Sequence, residues 1–169
     1  MRNIDFTLRA WNMDDLETLI KFGGNPQVAK TMMDRFPHPY TIEKAKEFIT
    51  AAASGNPITI FAIDINGQAV GSIGIHPQMD IQRKNAEIGY WIGEPFWGKG
   101  IVSKAVLQMI GYSFKTLDIN RIFGRAFGNN PGSQKVLEKA GFVLEARFDK
   151  TFFKNGEYVD ELVYAVRRK

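Results

Sequence analysis

The segment Trp97–Ser103 combines two glycines, a lysine and the start of an apolar-periodic run, a combination suited to binding an anion. Gly98 and Gly100 lack a Cβ, so the backbone can come close to a bulky phosphate. A helix is predicted to begin at about Val102, and free amides at a helix N-terminus bind anions. The amides that could point at a pyrophosphate are those of Lys99, Gly100, Ile101, Val102 and Ser103. One Gly-x-Gly turn is weak evidence, but the adjoining strand and helix favour phosphate binding.

A second group of candidate residues follows about 30 residues later, where Asn130-Pro131-Gly132-Ser133 precedes Glu138-Lys139-Ala140-Gly141-Phe142. Asn130 is suited to cap a helix that has Pro131 at its first position, because its side chain can accept a hydrogen bond from a first-turn amide. Capping alone would account for this asparagine, whatever the protein does.

These segments, in this order and at this spacing, resemble the GNAT N-acetyltransferases, in particular their RimJ/RimL-type branch. The strand Ala86-Glu87-Ile88-Gly89 and the loop Trp97-Gly98-Lys99-Gly100 are forms common in that branch. The resemblance covers nearly the whole chain, since Leu8-Arg9-Ala10 fits the family's opening strand and the pattern Gly141-Phe142…Asn155-Gly156…Asp160 fits its closing half. It implies acetyl-CoA as the ligand and an acetyl-CoA-dependent N-acetyltransferase as the function.

The resemblance also implies where the cofactor is held. The strand before the loop would be splayed from its neighbour, and its backbone at Trp91 and Ile92 would pair with the pantetheine arm. An amide there would stabilise the oxyanion formed when an amine attacks the thioester, an effect worth roughly 3 kcal/mol. The predicted cofactor-binding residues are Trp91, Ile92, Trp97, Gly98, Lys99, Gly100, Ile101, Val102, Ser103 and Asn130.

Glu87 and Ser133 are the predicted catalytic residues. The attacking amine must be neutral, and Glu87 on the splayed strand is the first candidate for a base, although a surface ion pair would explain it equally well. Asp160 and Glu145 on the final hairpin are the reserve candidates. By resemblance, Ser133 lies near the thioester sulfur, where its hydroxyl could stabilise the leaving thiolate. Many family members use a tyrosine later in this helix, and Leu137 stands in its place.

The acceptor stays open at this point. A protein or peptide N-terminus is what the family suggests, because an α-amine with a pKa near 7.7–8.0 is more easily neutral than a lysine amine near 10.4. Small amines, including polyamines, amino acids and aminoglycoside-like compounds, are alternatives. A non-catalytic CoA-binding sensor is another, since Val102 and Lys104 stand where the branch usually has Ala and Glu.

Composition excludes several other classes of protein. The absence of cysteine removes disulfides, cysteine metal sites and an acyl-cysteine intermediate, and the two histidines show no metal-site spacing. A net charge of +4 without a long basic run argues against nucleic acid, and no apolar run reaches the roughly 18 residues that cross a bilayer. We therefore expect a cytoplasmic enzyme, monomeric or homodimeric, that binds no metal, nucleic acid or membrane.

Hydrophobic periodicity predicts the elements that position these residues. We expect one α+β domain over residues 1–169, with a mixed, mostly antiparallel sheet of about seven strands flanked by about four helices. Hairpin turns are predicted at Asn66-Gly67 and Asn155-Gly156. The predicted strands are 4–10, 58–65, 68–76, 86–92, 121–127, 143–153 and 158–166. The predicted helices start at Asp14 or Asp15, Asn25, Thr41, Val102 and Asn130, and the second of them is predicted to run to Met33.

Overall fold

A computed structural model describes residues 4–168, and the order of its elements follows the predicted order. The strands are β1 (Thr7–Arg9), β2 (Ile60–Ile65), β3 (Gln68–Pro77), β4 (Asn85–Ile92), β5 (Arg121–Phe127), β6 (Val143–Lys154) and β7 (Glu157–Arg167). The helices are α1 (Leu16–Gly23), α2 (Pro26–Ala29), α3 (Ile42–Ala53), α4 (Ile101–Thr116) and α5 (Pro131–Lys139). The described residues thus hold five α-helices, one for each predicted start and one more than the predicted total of about four. The shortest is the single turn α2.

The sheet has seven strands in the order β1-β2-β3-β4-β5-β7-β6. Strands β4 and β5 pair in parallel, whereas β1–β2, β2–β3, β5–β7 and β6–β7 are antiparallel, which confirms the predicted mixed sheet. The parallel register joins Asn85–Glu87 to Arg121–Phe123. Within the described chain the pairing ends there although both strands continue, as expected of splayed strands.

Three predictions at the amino-terminal end need correction. The alternation over residues 4–10 forms a strand only at Thr7–Arg9, because this edge strand has partners only at Ala62–Asp64 of β2. Asp15 stands at the N-cap position of α1 as predicted, but its carboxylate makes no capping bond to that helix and is bonded to Arg9 and to the Asn12 amide. The turn before α1 is capped by Asn12. The helix predicted to run from Asn25 to Met33 ends at Ala29.

The chain divides into two compact units. Of the described residues, the first unit contains 4–74 together with Tyr90–Val102, and the second contains Ile75–Gly89 and 103–168. The predicted single-domain organisation stays a prediction.

In the first unit, helices α1 and α3 contribute buried side chains such as Leu19 and Ile49 to the core, beside Ile63 of β2. A half-buried arginine contacts two buried carboxylates at the edge of this core. Arg9 donates from Nη1 and Nη2 to the two Asp15 oxygens, both at 2.7 Å, and from Nε to Asp64 Oδ2 at 2.8 Å. We name Arg9, Asp15 and Asp64 the closed cluster.

In the second unit, α5 covers one face of the sheet. A Cβ at Gly124 of β5 would lie 3.1 Å from Leu137 Cδ2 of α5 and 3.1 Å from Ile88 Cγ2 of β4, so this face is tightly packed. Since successive side chains of a strand point to opposite faces, Phe123 and Arg125 lie on the other face. That second face carries the polar side chains considered below.

Candidate functional site

The loop predicted to bind phosphate has the backbone that its glycines suggest. Gly98 and Gly100 adopt φ of +72° and +74°, a region that side-chain-bearing residues rarely occupy. No atom lies within 4 Å of a Cβ placed on either residue, so the backbone conformation and not crowding requires glycine. Helix α4 begins at Ile101, one residue before the predicted start, and its first-turn amides follow the loop directly.

The side chain of Trp97 is tied to the end of β4. Its indole N–H donates to the Ile92 carbonyl oxygen at 2.8 Å, while 43% of the residue stays exposed. A carbonyl oxygen has two lone pairs, so Ile92 can still accept a second hydrogen bond. Sequence reasoning placed both residues at the cofactor but missed this link between them.

Two further contacts hold the segment before the loop within the first unit. Asn25 Nδ2 donates to Glu94 Oε2 at 2.8 Å, and the Phe96 ring meets Phe22 edge-on with centroids 5.6 Å apart. Lys99 Nζ lies 5.5 Å from the centroid of Phe96. The loop is therefore attached to the α1–α2 corner through side chains on its amino-terminal side.

The side chains of Trp91 and Ile92 serve packing. Both residues are buried, and the Trp91 ring meets Phe36 edge-on with centroids 6.0 Å apart. Their predicted cofactor contacts involve only backbone atoms, so packing and binding do not compete for the same groups.

Asn130 caps α5 as predicted, because its Oδ1 accepts from the Ser133 amide at 3.1 Å. The cap places Ser133 in the first turn of the helix. Leu137, which stands at the place of the family's tyrosine, is buried against Gly124 and is a core residue. The roles of Asn130 and Ser133 toward a cofactor stay predictions.

Glu87 lies in a group of charges on the second face of the sheet. Arg125 Nε is 3.7 Å from Glu87 Oε1, and Arg125 Nη1 is 3.4 Å from Glu161 Oε1. We name Glu87, Arg125 and Glu161 the open cluster. Sequence reasoning missed Glu161, and the only signal for it was a carboxylate directly before the apolar run Leu162-Val163-Tyr164.

The reserve candidates Glu145 and Asp160 are held by arginines. Hydrogen bonds from Arg121, and further ones from Arg167, lower the pKa of Glu145. The Lys150 amide, at 3.0 Å, and Arg147 lower the pKa of Asp160. Both carboxylates are consequently weaker proton acceptors than an unperturbed one.

A cavity of about 440 Å³ opens on the same face of the second unit. It is lined by Gln82, Asn85, Arg121, Phe123, Arg125, Phe148, Thr151, Glu161 and Val163. Within residues 4–168, no group of three or more His, Asp or Glu side chains is placed to hold a metal ion. Of the helices in that range, none has the length and apolar character needed to cross a bilayer.

Comparison with known proteins gives a family match over residues 5–143, to the model described as the acetyltransferase (GNAT) domain. The ribosomal-protein-serine acetyltransferase of Escherichia coli (strain K12) is 31% identical over 106 residues, which are 63% of this chain and 59% of that protein. The spermidine N(1)-acetyltransferase of Vibrio cholerae serotype O1 is 26% identical over 160 residues, 94% of this chain and 90% of that protein.

Among solved structures, the microcin C7 self immunity acetyltransferase MccE, in complex with acetyl-CoA and AMP, superposes with a TM-score of 0.81. It is 25% identical, and the match covers 97% of this chain and 93% of that chain. For some curated relatives the match is shorter, and the chain spans 56% of the length of one from Bacillus subtilis (strain 168).

Proposed function

Because the chain belongs to the GNAT acetyltransferase family, we propose that it transfers the acetyl group of acetyl-CoA directly to the α-amine of a protein or peptide N-terminus. Family membership confirms the predicted enzyme class and acetyl-CoA as its cosubstrate. The observation that carries the proposal is the left-handed backbone at Gly98 and Gly100, which leads into the N-terminus of α4. The predicted cytoplasmic location and oligomeric state stay predictions.

The loop residues would hold the phosphates, since amides at a helix N-terminus donate to anions without a side chain. Bound acetyl-CoA supplies an activated acyl group in the form of a thioester. Glu87 would accept the proton that the attacking amine gives up, directly or through water. The Ser133 hydroxyl would donate a hydrogen bond to the departing sulfur.

An α-amine suits this set of residues. With a pKa near 7.7–8.0, a useful fraction is neutral at pH 7, so the demand on a base is modest. Glu87 is the carboxylate favoured for that modest role, because its contact to Arg125 is long, at 3.7 Å, whereas Glu145 and Asp160 accept hydrogen bonds of 2.6 and 2.8 Å from arginines. The name of the E. coli relative supports a protein acceptor.

A second candidate acceptor is a polyamine. It is favoured by the length of the match to the V. cholerae spermidine enzyme, which covers 94% of this chain. A polyamine would place a stronger demand on the base, since its amines are mostly protonated at pH 7.

The experiment is calorimetric titration with acetyl-CoA, CoA and ATP, followed by thiol release on peptides with free or blocked N-termini and on spermidine. We expect acetyl-CoA to bind in the micromolar range, ATP to bind weakly, and CoA release to require a free peptide N-terminus. Turnover on spermidine alone would favour the second candidate. Binding without turnover would indicate a sensor, and failure to bind acetyl-CoA would mean that the loop is only a turn.

Substitutions at Gly100, Glu87 and Ser133 test the roles proposed for the cofactor loop and for the two catalytic residues. Gly100→Ala should weaken acetyl-CoA binding roughly tenfold, because a Cβ in the left-handed region costs about 1–2 kcal/mol. Gly111→Ala is the matched control, since Gly111 lies within α4 with open space around a Cβ. Glu87→Gln and Ser133→Ala should each lower kcat more than they weaken acetyl-CoA binding. Equal turnover in both variants and the wild type would contradict the catalytic assignment.

A further inference from the structure

The side chain of Trp97 links the end of β4 to the start of the loop predicted to bind phosphate. Its indole N–H donates to the carbonyl oxygen of Ile92, five residues earlier in the chain, at 2.8 Å. The backbone at Ile92 is the predicted contact of the pantetheine arm, and the loop is the predicted contact of the phosphates. One side-chain hydrogen bond therefore joins two parts of the predicted cofactor site, both within the first unit.

The acceptor of this bond belongs to a firmly held part of the sheet. The amide of Gly93 donates to the Val70 carbonyl oxygen of β3 at 2.8 Å. A Cβ on Gly71 of β3 would lie 2.5 Å from the Trp91 carbonyl oxygen, so the two backbones touch here without room for a side chain. A hydrogen bond to the neighbouring Ile92 consequently ties the loop to the sheet.

The chain after Trp97 has few local constraints of its own. Only three residues separate it from the start of α4 at Ile101, and two of them are the glycines with φ of +72° and +74°. Glycine occupies positive and negative φ with similar ease, so these two residues do not fix their own conformation. The main-chain amide of Trp97 donates to the Glu94 carbonyl oxygen at 3.1 Å. Trp97 is thus held by its backbone and by its side chain at the point where the glycine segment begins.

Burial does not account for the position of the Trp97 ring. Trp11 and Trp91 are core residues, whereas Trp97 is exposed. An exposed aromatic ring gains less from the hydrophobic effect than a buried one, because that gain is proportional to the apolar area removed from water. The indole N–H is therefore the group of Trp97 that has a defined partner and a defined consequence for the loop.

We propose that Trp97 is a positioning residue for acetyl-CoA: its indole N–H, bonded to the Ile92 carbonyl, holds the glycine segment in the conformation that receives the phosphates. The inference rests on the proposed function, since that function places acetyl-CoA at this loop. A loop without this bond would sample other conformations, and the apparent Kd rises by the inverse of the fraction that can bind. One neutral hydrogen bond biases such an equilibrium by up to roughly tenfold.

The test compares two substitutions that remove different parts of the same side chain. Trp97→Phe keeps an aromatic ring without an N–H, whereas Trp97→Gln removes the ring and keeps an N–H donor. By calorimetry, we expect the Kd of acetyl-CoA to rise roughly five- to tenfold in Trp97→Phe and to stay within about twofold of the wild type in Trp97→Gln. The opposite order, with Trp97→Gln the weaker binder, would show that the ring itself contacts the cofactor and would overturn the proposal.

Trp11 supplies the matched control. Within residues 4–168, its buried indole Nε1 has no hydrogen-bond partner, so Trp11→Phe removes an indole N–H from the same unit without breaking a bond. We expect this variant to unfold at a lower temperature, because its core loses volume, and to bind acetyl-CoA with the wild-type Kd. An equal rise of Kd in Trp11→Phe and Trp97→Phe would overturn the proposal, since loosening of the whole unit would explain both. Thermal unfolding verifies that each variant folds.

Amide hydrogen exchange of the cofactor-free protein separates this inference from the proposed function. The amides of residues 98–102 should exchange severalfold faster in Trp97→Phe than in the wild type or in Trp97→Gln. If the wild type bound no acetyl-CoA, the proposed function would fail, and this pattern of exchange would still support the positioning of the loop by Trp97. If the wild type and both variants bound acetyl-CoA equally and showed equal exchange, the inference would fail alone.

Discussion

The closed cluster of the first unit and the open cluster of the second have the same composition, one arginine between two carboxylates. In the closed cluster, Arg9 makes three hydrogen bonds of 2.7–2.8 Å to Asp15 and Asp64. In the open cluster, Arg125 stays 3.4 and 3.7 Å from its partners. The same combination of charges therefore produces a cross-link in one place, with two aspartates, and a loosely held cation in the other, with two glutamates.

Neighbouring backbone groups explain the difference. Asp15 also accepts from the Asn12 amide at 3.0 Å, and Asp64 accepts from the Gly67 amide at 2.8 Å, so each carboxylate has a fixed orientation and stays almost fully buried. The open cluster lies instead beside a cavity, where solvent can reach it. Bond length and exposure together, more than residue type, distinguish a structural ion pair from one available to a ligand.

The largest expected effect is on stability. Arg9→Met should lower the free energy of unfolding by about 3–5 kcal/mol, because it leaves two buried carboxylates without their partner. Urea unfolding at pH 7 measures the change. A loss below about 1 kcal/mol would show that the closed cluster does not act as a cross-link and would remove the contrast drawn here.

The second prediction concerns Tyr40, a buried residue whose pKa is shifted by burial and not by a charged partner. Burial raises the pKa of Tyr40 to about 12, from 10.0. Because the unfolded chain releases this proton near pH 10 and the folded protein keeps it to about 12, stability should fall across this interval. The slope from this group is at most about 1.4 kcal/mol per pH unit.

Urea unfolding of Tyr40→Phe over the same pH range provides the reference, since phenylalanine cannot ionise. The wild type should lose stability more steeply than the variant above pH 10, by the contribution of this one group. If the unfolding free energies of the wild type and of Tyr40→Phe changed equally with pH, the Tyr40 phenol would be solvated in the folded protein.

The smallest effect concerns Arg125. Arg125→Met should change the free energy of unfolding by less than about 1 kcal/mol, since a half-exposed ion pair contributes little. When both variants are measured under the same conditions, the difference between the losses of unfolding free energy in Arg9→Met and Arg125→Met quantifies the contrast between the two clusters. A loss of similar size in both variants would place Arg125 among the structural residues.

Most of the fold could be predicted because local signals agree with the tertiary structure. The Asn66-Gly67 and Asn155-Gly156 turns adopt the positive φ that such hairpins need, and β5 has the predicted bounds. The ends of β1 could not be predicted, since pairing with β2 and not local propensity decides where this strand stops.

The candidate site could be predicted in part for a similar reason. The cofactor loop is contiguous in sequence, so glycine spacing and helix periodicity indicate it. The open cluster joins β4, β5 and β7, and the register that brings Glu161 toward Arg125 is a property of the sheet. No local pattern could reveal that Glu87 and Glu161 share one arginine.

The attachment of Trp97 to β4 has a practical consequence for spectroscopy. Of the three tryptophans, Trp11 and Trp91 are buried, at 2% and 7% exposure, whereas Trp97 is exposed at the start of the cofactor loop. Its indole is held in place by a hydrogen bond to the Ile92 carbonyl, so a ligand that binds at the loop would change its surroundings. The native chain therefore carries its own fluorescent reporter, and its emission should record occupancy of the loop in real time without a label.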